Sequence, residues 1–140
     1  MVDVGAKPVQ RRVATAQARV RMSARAAELL AEGGLPKGDA AAVSRVAAII
    51  AAKRTSELIP LCHPLPIDAI DVDVRVEGEE AIISVTVCTS AKTGVEMEAL
   101  TAATVGALAI WDMVKGVDPD LRIDGVRLLS KTKTPLGESS

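Results

Sequence analysis

Alternation of apolar and polar residues predicts the strands of this protein. Residues 9–22, VQRRVATAQARVRM, alternate well enough to form a strand with one solvated face. Two further alternating runs lie on either side of the turn at 77–80 in IDAIDVDVRVEGEEAIISVTVC, which predicts a β-hairpin. RIDGVRLLSK predicts a last strand, and residues 132–140, TKTPLGESS, are expected to form a loop-like, flexible tail.

Apolar residues at helical spacing predict three helices between these strands. A short one in SARAAELLAEGG has Ser23 as its N-cap and the glycine pair at 33–34 as its stop. KGDAAAVSRVAAIIAAKRTSELIP predicts a long helix that Asp39 caps and Pro60 ends. A second long helix, TGVEMEALTAATVGALAIWDMVKG, is expected to end at Gly116. One face of the first long helix is formed by apolar residues: Val43, Val46, Ala47, Ile50 and Leu58.

The order of the main elements is strand, helix, strand, strand, helix, strand, which is typical of the split βαβ arrangement. We therefore predict an α+β protein with a ferredoxin-like βαββαβ fold, formed by residues 1–140 as a single domain. Its antiparallel sheet carries two long helices on one face, and a short extra helix is added. Both long helices are rich in Ala and Gly, so part of their surface is expected to pack on another chain.

The composition restricts the core and the class of partner. With one Trp and no Phe or Tyr in 140 residues, the core must be built from Ala, Val, Ile and Leu. A net charge of −1 and the lack of aromatic residues for base stacking argue against nucleic-acid binding. No signal-peptide h-region is present, and apolar runs fall short of about 18 residues, so we expect a cytoplasmic protein that does not cross a membrane.

The only histidine, His63, lies in the proline-rich segment LIPLCHPLPI. Three prolines in seven residues stiffen this segment, because each proline fixes its own φ and extends the residue before it. Taken alone, the pattern favours a rigid connection in which His63 bonds a backbone carbonyl. A zinc site with Cys62 and Cys88 is a weaker alternative, because adjacent Cys and His rarely chelate one ion and C-x-x-C spacing is absent.

Charged residues stand at both ends of the second long helix. At its start, Thr93 and Glu96 fit the capping box S/T-x-x-E, whereas Glu98 has no such structural explanation. At its end, Asp112 and Lys115 are three residues apart on one helical face. This pair is either a solvated surface ion pair or, in drier surroundings, an acid–base pair.

The distance along this helix limits what one site can contain. Glu98 and Asp112 are fourteen residues apart, about 21 Å at the α-helical rise, so one small molecule cannot contact both. A site that uses both residues is either elongated or assembled from two subunits, and we favour two subunits. Lys37, in KGD just before a predicted helix N-terminus, occupies a favourable position for binding an anion.

Several segments together resemble one enzyme family. MVDVGAK, KGD, AAKRTSELIPLCHPL, KTGVEMEALTAA, WDMVK and VRLLSK are similar to cyclic pyranopterin monophosphate synthases, the molybdenum cofactor biosynthesis protein C family, from residue 1 to about 131. The resemblance implies a ferredoxin-like fold and a homohexamer, a trimer of dimers, with the active site at the dimer interface. It also implies a lyase that acts after a radical-SAM GTP cyclase in molybdopterin biosynthesis.

The implied reaction converts (8S)-3′,8-cyclo-7,8-dihydroguanosine 5′-triphosphate into cyclic pyranopterin monophosphate and releases pyrophosphate. No cofactor is required by the sequence, and Mg²⁺ accompanying the triphosphate is compatible with it. The resemblance implies catalytic roles for Asp112, Lys115, Lys37 and Lys131. It implies substrate contacts by Leu61, Cys62, His63, Met97, Glu98, Glu96 and Arg12, and no protein-bound metal.

The C-terminal segment departs from the family pattern. Relatives often continue after the lysine that matches Lys131 with glycines and a basic loop, whereas this chain continues with TKTPLGESS. The resemblance therefore leaves the role of Lys133 and of the C-terminal tail open. An alternative function from another class is a non-catalytic ferredoxin-like module that binds a small anionic metabolite, which would not depend on an acid–base residue such as Asp112.

Overall fold

The computed structural model describes residues 1–137 of the 140-residue chain. Its main strands and helices follow one another in the predicted order. The elements are β1 (Gln10–Arg21), α1 (Ala24–Glu32), α2 (Ala40–Lys53), α3 (Thr55–Leu58), β2 (Ala69–Glu77), β3 (Glu80–Ala91), α4 (Glu96–Val114) and β4 (Arg122–Pro135).

The four strands form one sheet in the order β2-β3-β1-β4, and all neighbouring strands are antiparallel. The predicted hairpin is confirmed, because Glu77 pairs with Glu80 across a two-residue turn. Gly78 has φ +57° in that turn, a left-handed conformation that is favourable for glycine. The α+β class and the ferredoxin-like βαββαβ arrangement are thereby confirmed.

Small residues allow the helices to lie close to the sheet and to each other. Ala14, Ala16 and Ala18 of β1 are buried on the face that α4 covers. Where α2 crosses α4, Ser44 Oγ donates a 2.8 Å hydrogen bond to the carbonyl of Gly106. A Cβ on Gly106 would lie 3.0 Å from Ile83 Cγ2, tighter than most such contacts, so the close approach favours glycine. The core therefore compensates for its lack of aromatic residues by tight packing.

The predicted ends of α1 and the start of α2 are confirmed. Ser23 Oγ accepts from the Ala26 amide at 3.2 Å, and Asp39 Oδ1 accepts from the Ala42 amide at 3.1 Å. Gly33 ends α1 with φ +71°, the left-handed conformation common at helix C-termini. α4 ends at Val114, two residues before the predicted Gly116.

The predicted helix up to Pro60 is wrong in its length, since the chain leaves the helix at Arg54, where φ is −111°. Thr55 explains the break, because its hydroxyl donates to the carbonyls of Ala51 and Ala52 at the end of α2. The single turn α3 then leads to the proline-rich segment. Competition of a threonine side chain for carbonyls of the preceding turn is a local effect that the apolar periodicity does not report.

The apolar face predicted for this helix does not face the core. Val43, Val46 and Ile50 are 44%, 57% and 47% exposed, and together with Ala42 and Ala47 they form a continuous apolar surface. The core side of α2 instead carries small residues: Ala40, Ser44, Ala48, Ala51 and Ala52. Larger side chains are excluded there by the close contact with α4.

The expectation of a loop-like tail after residue 131 is wrong for residues 132–135. β4 continues to Pro135, and Arg12 pairs with Lys133 while Gln10 pairs with Pro135. The reason is that the long β1 offers backbone hydrogen-bonding groups to the whole segment. Residues 138–140 of the predicted tail lie outside the described residues.

By length and hydropathy alone, α4 could cross a membrane, with a mean hydropathy of 1.3. Length and hydropathy alone do not distinguish such a span from a helix of the core. Half of it is buried, against the sheet and against α2, and a helix covered on both sides becomes apolar for that reason.

Candidate active site

The first group of predicted site residues lies at the C-terminal end of α4. Lys115 Nζ is 3.0 Å from Asp112 Oδ1, and Lys37 Nζ is 3.3 Å from Asp112 Oδ2. Lys37 also donates to the Asp112 carbonyl at 3.0 Å. Hydrogen bonds from Lys115 and Lys37 lower the pKa of the Asp112 carboxyl. The tertiary structure thus adds a second ammonium group to the predicted pair and holds the carboxylate ionised.

A cationic pocket of about 250 Å³ lies at the opposite, N-terminal end of α4. Arg12, Lys131 and Lys133 line it together with the first helical residue, Glu96. Lys131 Nζ is 3.8 Å from Glu96 Oε1. Within the described part of the chain, the Nε of Arg12 is buried and makes no hydrogen bond. The pocket therefore combines excess positive charge with an unsatisfied donor, which suits an anion such as a phosphate group.

A second pocket, of about 430 Å³, adjoins the first through Glu96 and Gly94. It is lined by residues of the proline-rich segment, by the start of α4 and by the N-terminal segment: Val2, Val4, Lys7, Ile59, Leu61, Cys62, His63, Leu65, Thr93, Gly94, Glu96 and Met97. His63 Nε2 lies 2.8 Å from the Val2 carbonyl, which confirms the expected bond to a backbone carbonyl. The same ring lines the pocket, so anchoring and ligand contact are compatible.

Glu98 is the most deeply buried acid of the predicted set, with 3% exposure. Its Oε2 is 3.7 Å from the Cys62 sulfur, whereas its Oε1 is buried without a hydrogen-bond partner among the described residues. Burial raises the pKa of the Glu98 carboxyl. Burial and the neighbouring Glu98 likewise raise the pKa of the Cys62 thiol. A carboxyl in these surroundings holds its proton more strongly than an exposed one and can donate it.

Glu98→Gln is expected to increase the free energy of unfolding at neutral pH. Burial gives the Glu98 carboxyl a higher pKa in the folded protein than in the unfolded one. The folded protein therefore loses stability as pH rises from the unfolded-state pKa through the folded-state pKa. The wild type should therefore lose stability relative to the Gln variant as pH rises above the ordinary pKa of a glutamate. Urea melts at a series of pH values from acidic to neutral measure the difference. Exposed Glu32→Gln is the control, and parallel curves for wild type and Glu98→Gln would disprove the burial effect.

The predicted capping box is not formed. α4 begins at Glu96 with Val95 as its N-cap residue and without a side-chain cap hydrogen bond, so Thr93 does not cap it. The Glu96 carboxylate instead folds back over Gly94, where a Cβ would overlap with both of its oxygens. The sequence motif is therefore present without its usual geometry, and Glu96 is free to border both pockets.

The structure separates the predicted residues into these two groups and does not join them within one chain. Sixteen residues of α4 separate Glu96 from Asp112, about 24 Å along the axis. A metal site would require at least three His, Cys, Asp or Glu side chains close together, and residues 1–137 contain no such group. Sequence reasoning missed Gly94, Val2 and Lys133 as pocket residues, although the i, i+2 spacing of Lys131 and Lys133 on a strand would have indicated a shared face.

Fold and pockets together define a class: a ferredoxin-like α+β protein with a cationic pocket and flanking carboxylates, suited to binding a small polyanion. The model of the MoaC family matches residues 1–134. The chain belongs to the MoaC family.

Curated relatives agree with this assignment over nearly the whole chain. Cyclic pyranopterin monophosphate synthase 2 of Mycobacterium tuberculosis (strain ATCC 25618 / H37Rv) is 52% identical over 131 residues, covering 94% of this chain and 78% of the relative. The cyclic pyranopterin monophosphate synthase of Thermomicrobium roseum is 50% identical over 94% of this chain and 80% of its own length. That of Parvibaculum lavamentivorans is 49% identical, with coverages of 99% and 88%.

Proposed function

We propose that this protein is a cyclic pyranopterin monophosphate synthase of molybdenum cofactor biosynthesis. The observation that carries the proposal is the family match over residues 1–134, because this range contains both charged groups at the ends of α4. The substrate is (8S)-3′,8-cyclo-7,8-dihydroguanosine 5′-triphosphate. The products are cyclic pyranopterin monophosphate and pyrophosphate.

The two charged groups suit different parts of this reaction. Asp112, held ionised between Lys115 and Lys37, is positioned to exchange protons with the substrate ring system. The cationic pocket with Arg12 and Lys131 offers counter-charge to the triphosphate. The proline-rich segment presents Leu61, Cys62 and His63, and the start of α4 presents Met97, to the adjoining pocket for further substrate contacts.

We propose that the complete site is shared between two subunits of a homohexamer, arranged as a trimer of dimers. The support is geometric, since the helix α4 holds the two groups about 24 Å apart in one chain. A partner subunit placed across the dimer interface brings its Asp112 group to the cationic pocket of the first. The same twofold operation creates a second, equivalent site.

The exposed apolar face of α2 is the surface we assign to subunit contact. Val46→Asp in its centre is expected to convert the hexamer into smaller species, because a buried, unpaired carboxylate is costly. Sedimentation velocity measures the change in mass. Ala31→Asp, at an exposed position of α1, is the control and should leave the assembly intact. A Val46→Asp protein of unchanged mass would exclude α2 from the interface.

We further propose that the protein works in the cytoplasm on the product of a radical-SAM GTP cyclase. The thiols of Cys62 and Cys88 are both free, as is usual in a reducing compartment. Mg²⁺, where it takes part, enters as a counter-ion of the triphosphate. Titrating MgCl₂ and EDTA into the assay distinguishes a substrate-borne ion, whose effect follows the substrate concentration, from a resident one.

The direct test is to incubate the purified protein with the cyclised dihydro-GTP and to measure pyrophosphate and a pterin product together. Stoichiometric appearance of both supports the proposal. Heat-denatured protein gives the background rate. Folded protein that leaves the substrate intact, or binds it without turnover, would instead support a non-catalytic binding module.

A further inference from the structure

Lys133 is a cation of the cationic pocket to which the family resemblance gives no role. It stands on β4 directly opposite Arg12 of β1 and two residues after Lys131. Directly paired residues, and residues two apart on a strand, project from the same face of a sheet. Ala14, which pairs with Lys131, is buried beneath α4. All three cations therefore point to the helix-covered side, at the edge where α4 begins.

This arrangement is electrostatically unfavourable without an anion. Like charges directly opposite on neighbouring strands destabilise a sheet, and Arg12 and Lys133 are such a pair. Among the residues lining the pocket, Glu96 is the one carboxylate against three cations, and its 3.8 Å contact is to Lys131. α4 begins at the same place without a side-chain cap hydrogen bond, and the N-terminus of a helix favours negative charge.

We propose that Lys133 is a phosphate-binding residue that, with Arg12 and Lys131, holds the terminal two phosphates of the substrate and the pyrophosphate product. This inference rests on the proposed function. In the cyclisation, a substrate hydroxyl oxygen bonds to the α-phosphorus and gives up its proton to a base. The bond from the α-phosphorus to the α–β bridging oxygen breaks, and pyrophosphate leaves with that oxygen and its developing negative charge. Lys133 stabilises that charge.

The test measures binding of inorganic pyrophosphate by isothermal titration calorimetry at low ionic strength. Lys133→Gln is expected to weaken binding roughly fivefold, as for an exposed charge pair, and high salt should shrink the difference. Lys133→Arg keeps the charge and should bind within about twofold of wild type. Arg25→Gln removes a cation from an exposed position on α1 and should leave binding unchanged.

Equal affinities of wild type and Lys133→Gln would overturn the inference, and so would equal losses in Lys133→Gln and Arg25→Gln. Wild type that does not bind pyrophosphate would overturn it too. Turnover of the cyclised substrate by wild type, measured separately, reports on the proposed function alone. Suppose that the wild type turns over the substrate normally and that Lys133→Gln binds pyrophosphate as tightly as the wild type. This result refutes the role of Lys133 and leaves the enzyme assignment intact.

Discussion

Asp112→Asn is expected to lower the rate of pyrophosphate release at least about 100-fold while the fold is retained. The Asp112 side chain is 60% exposed, so its replacement removes no packing from the core. An amide has the same shape, yet it cannot take up a proton or balance the charges of Lys115 and Lys37. Turnover assays combined with thermal melts separate the loss of chemistry from any loss of stability.

The matched control for this variant is Asp73→Asn on β2. Asp73 is similarly exposed, at 62%, and is also paired with a cation, Arg75. Its neutralisation should leave turnover within about twofold of wild type, as expected for a surface ion pair. Full activity of Asp112→Asn would remove Asp112 from the mechanism.

The pKa of Asp112 gives this prediction a pH dependence. Because Lys115 and Lys37 lower it, the carboxylate stays ionised in mildly acidic solution and takes up a proton only at lower pH than an ordinary Asp does. A loss of wild-type activity on mild acidification therefore has to come from another group. Carboxyl carbon NMR of Asp112 in wild type and in Lys115→Ala checks the cause, since removing the lysine should raise the pKa of Asp112.

Mixing Asp112→Asn with Lys131→Ala subunits is expected to restore activity that neither variant has alone. If each site takes Asp112 from one subunit and Lys131 from its partner, a mixed dimer contains one site with both defects and one intact site. Random mixing in equal amounts should then recover about a quarter of wild-type activity. Joint refolding or prolonged exchange followed by the pyrophosphate assay measures the recovery.

The control for the mixing experiment is a pair of variants altered at the same end of α4. Asp112→Asn mixed with Lys37→Ala should remain inactive, because Lys37 and Asp112 lie together and come from the same subunit. Every mixed dimer then has a defect in both sites. Activity in this control, or no recovery with the Lys131 variant, would exclude a site shared in the proposed way.

Local sequence signals predicted most of the fold because they act over a few residues. The caps at Ser23 and Asp39 depend on one side chain and an amide three residues later. The turn at Gly78 depends on one left-handed conformation between two alternating runs. Such interactions form in nearly the same way in any protein, so the order βαββαβ could be predicted from them.

Errors occurred where a distant strand, or a particular side-chain contact that periodicity does not reveal, changed the outcome. Residues 132–135 have little strand character of their own, and they became a strand because β1 extends beside them. The helix after Asp39 broke at Arg54, through the hydroxyl of Thr55. The predicted capping box does not form because the Glu96 carboxylate folds over Gly94. The residue types alone do not show which conformation the Glu96 side chain adopts.

The sequence by itself determined the elements of the fold, the family, and the residue types that carry charge at the two ends of α4. The tertiary structure alone decided how these charges are grouped: Lys37 beside Asp112, Lys133 opposite Arg12, and Glu98 buried beside Cys62. The physical reason is the distance along the chain over which each kind of interaction acts. Periodicity and capping are properties of neighbouring residues, whereas charge clustering and burial depend on which strands and helices come together and how closely they pack.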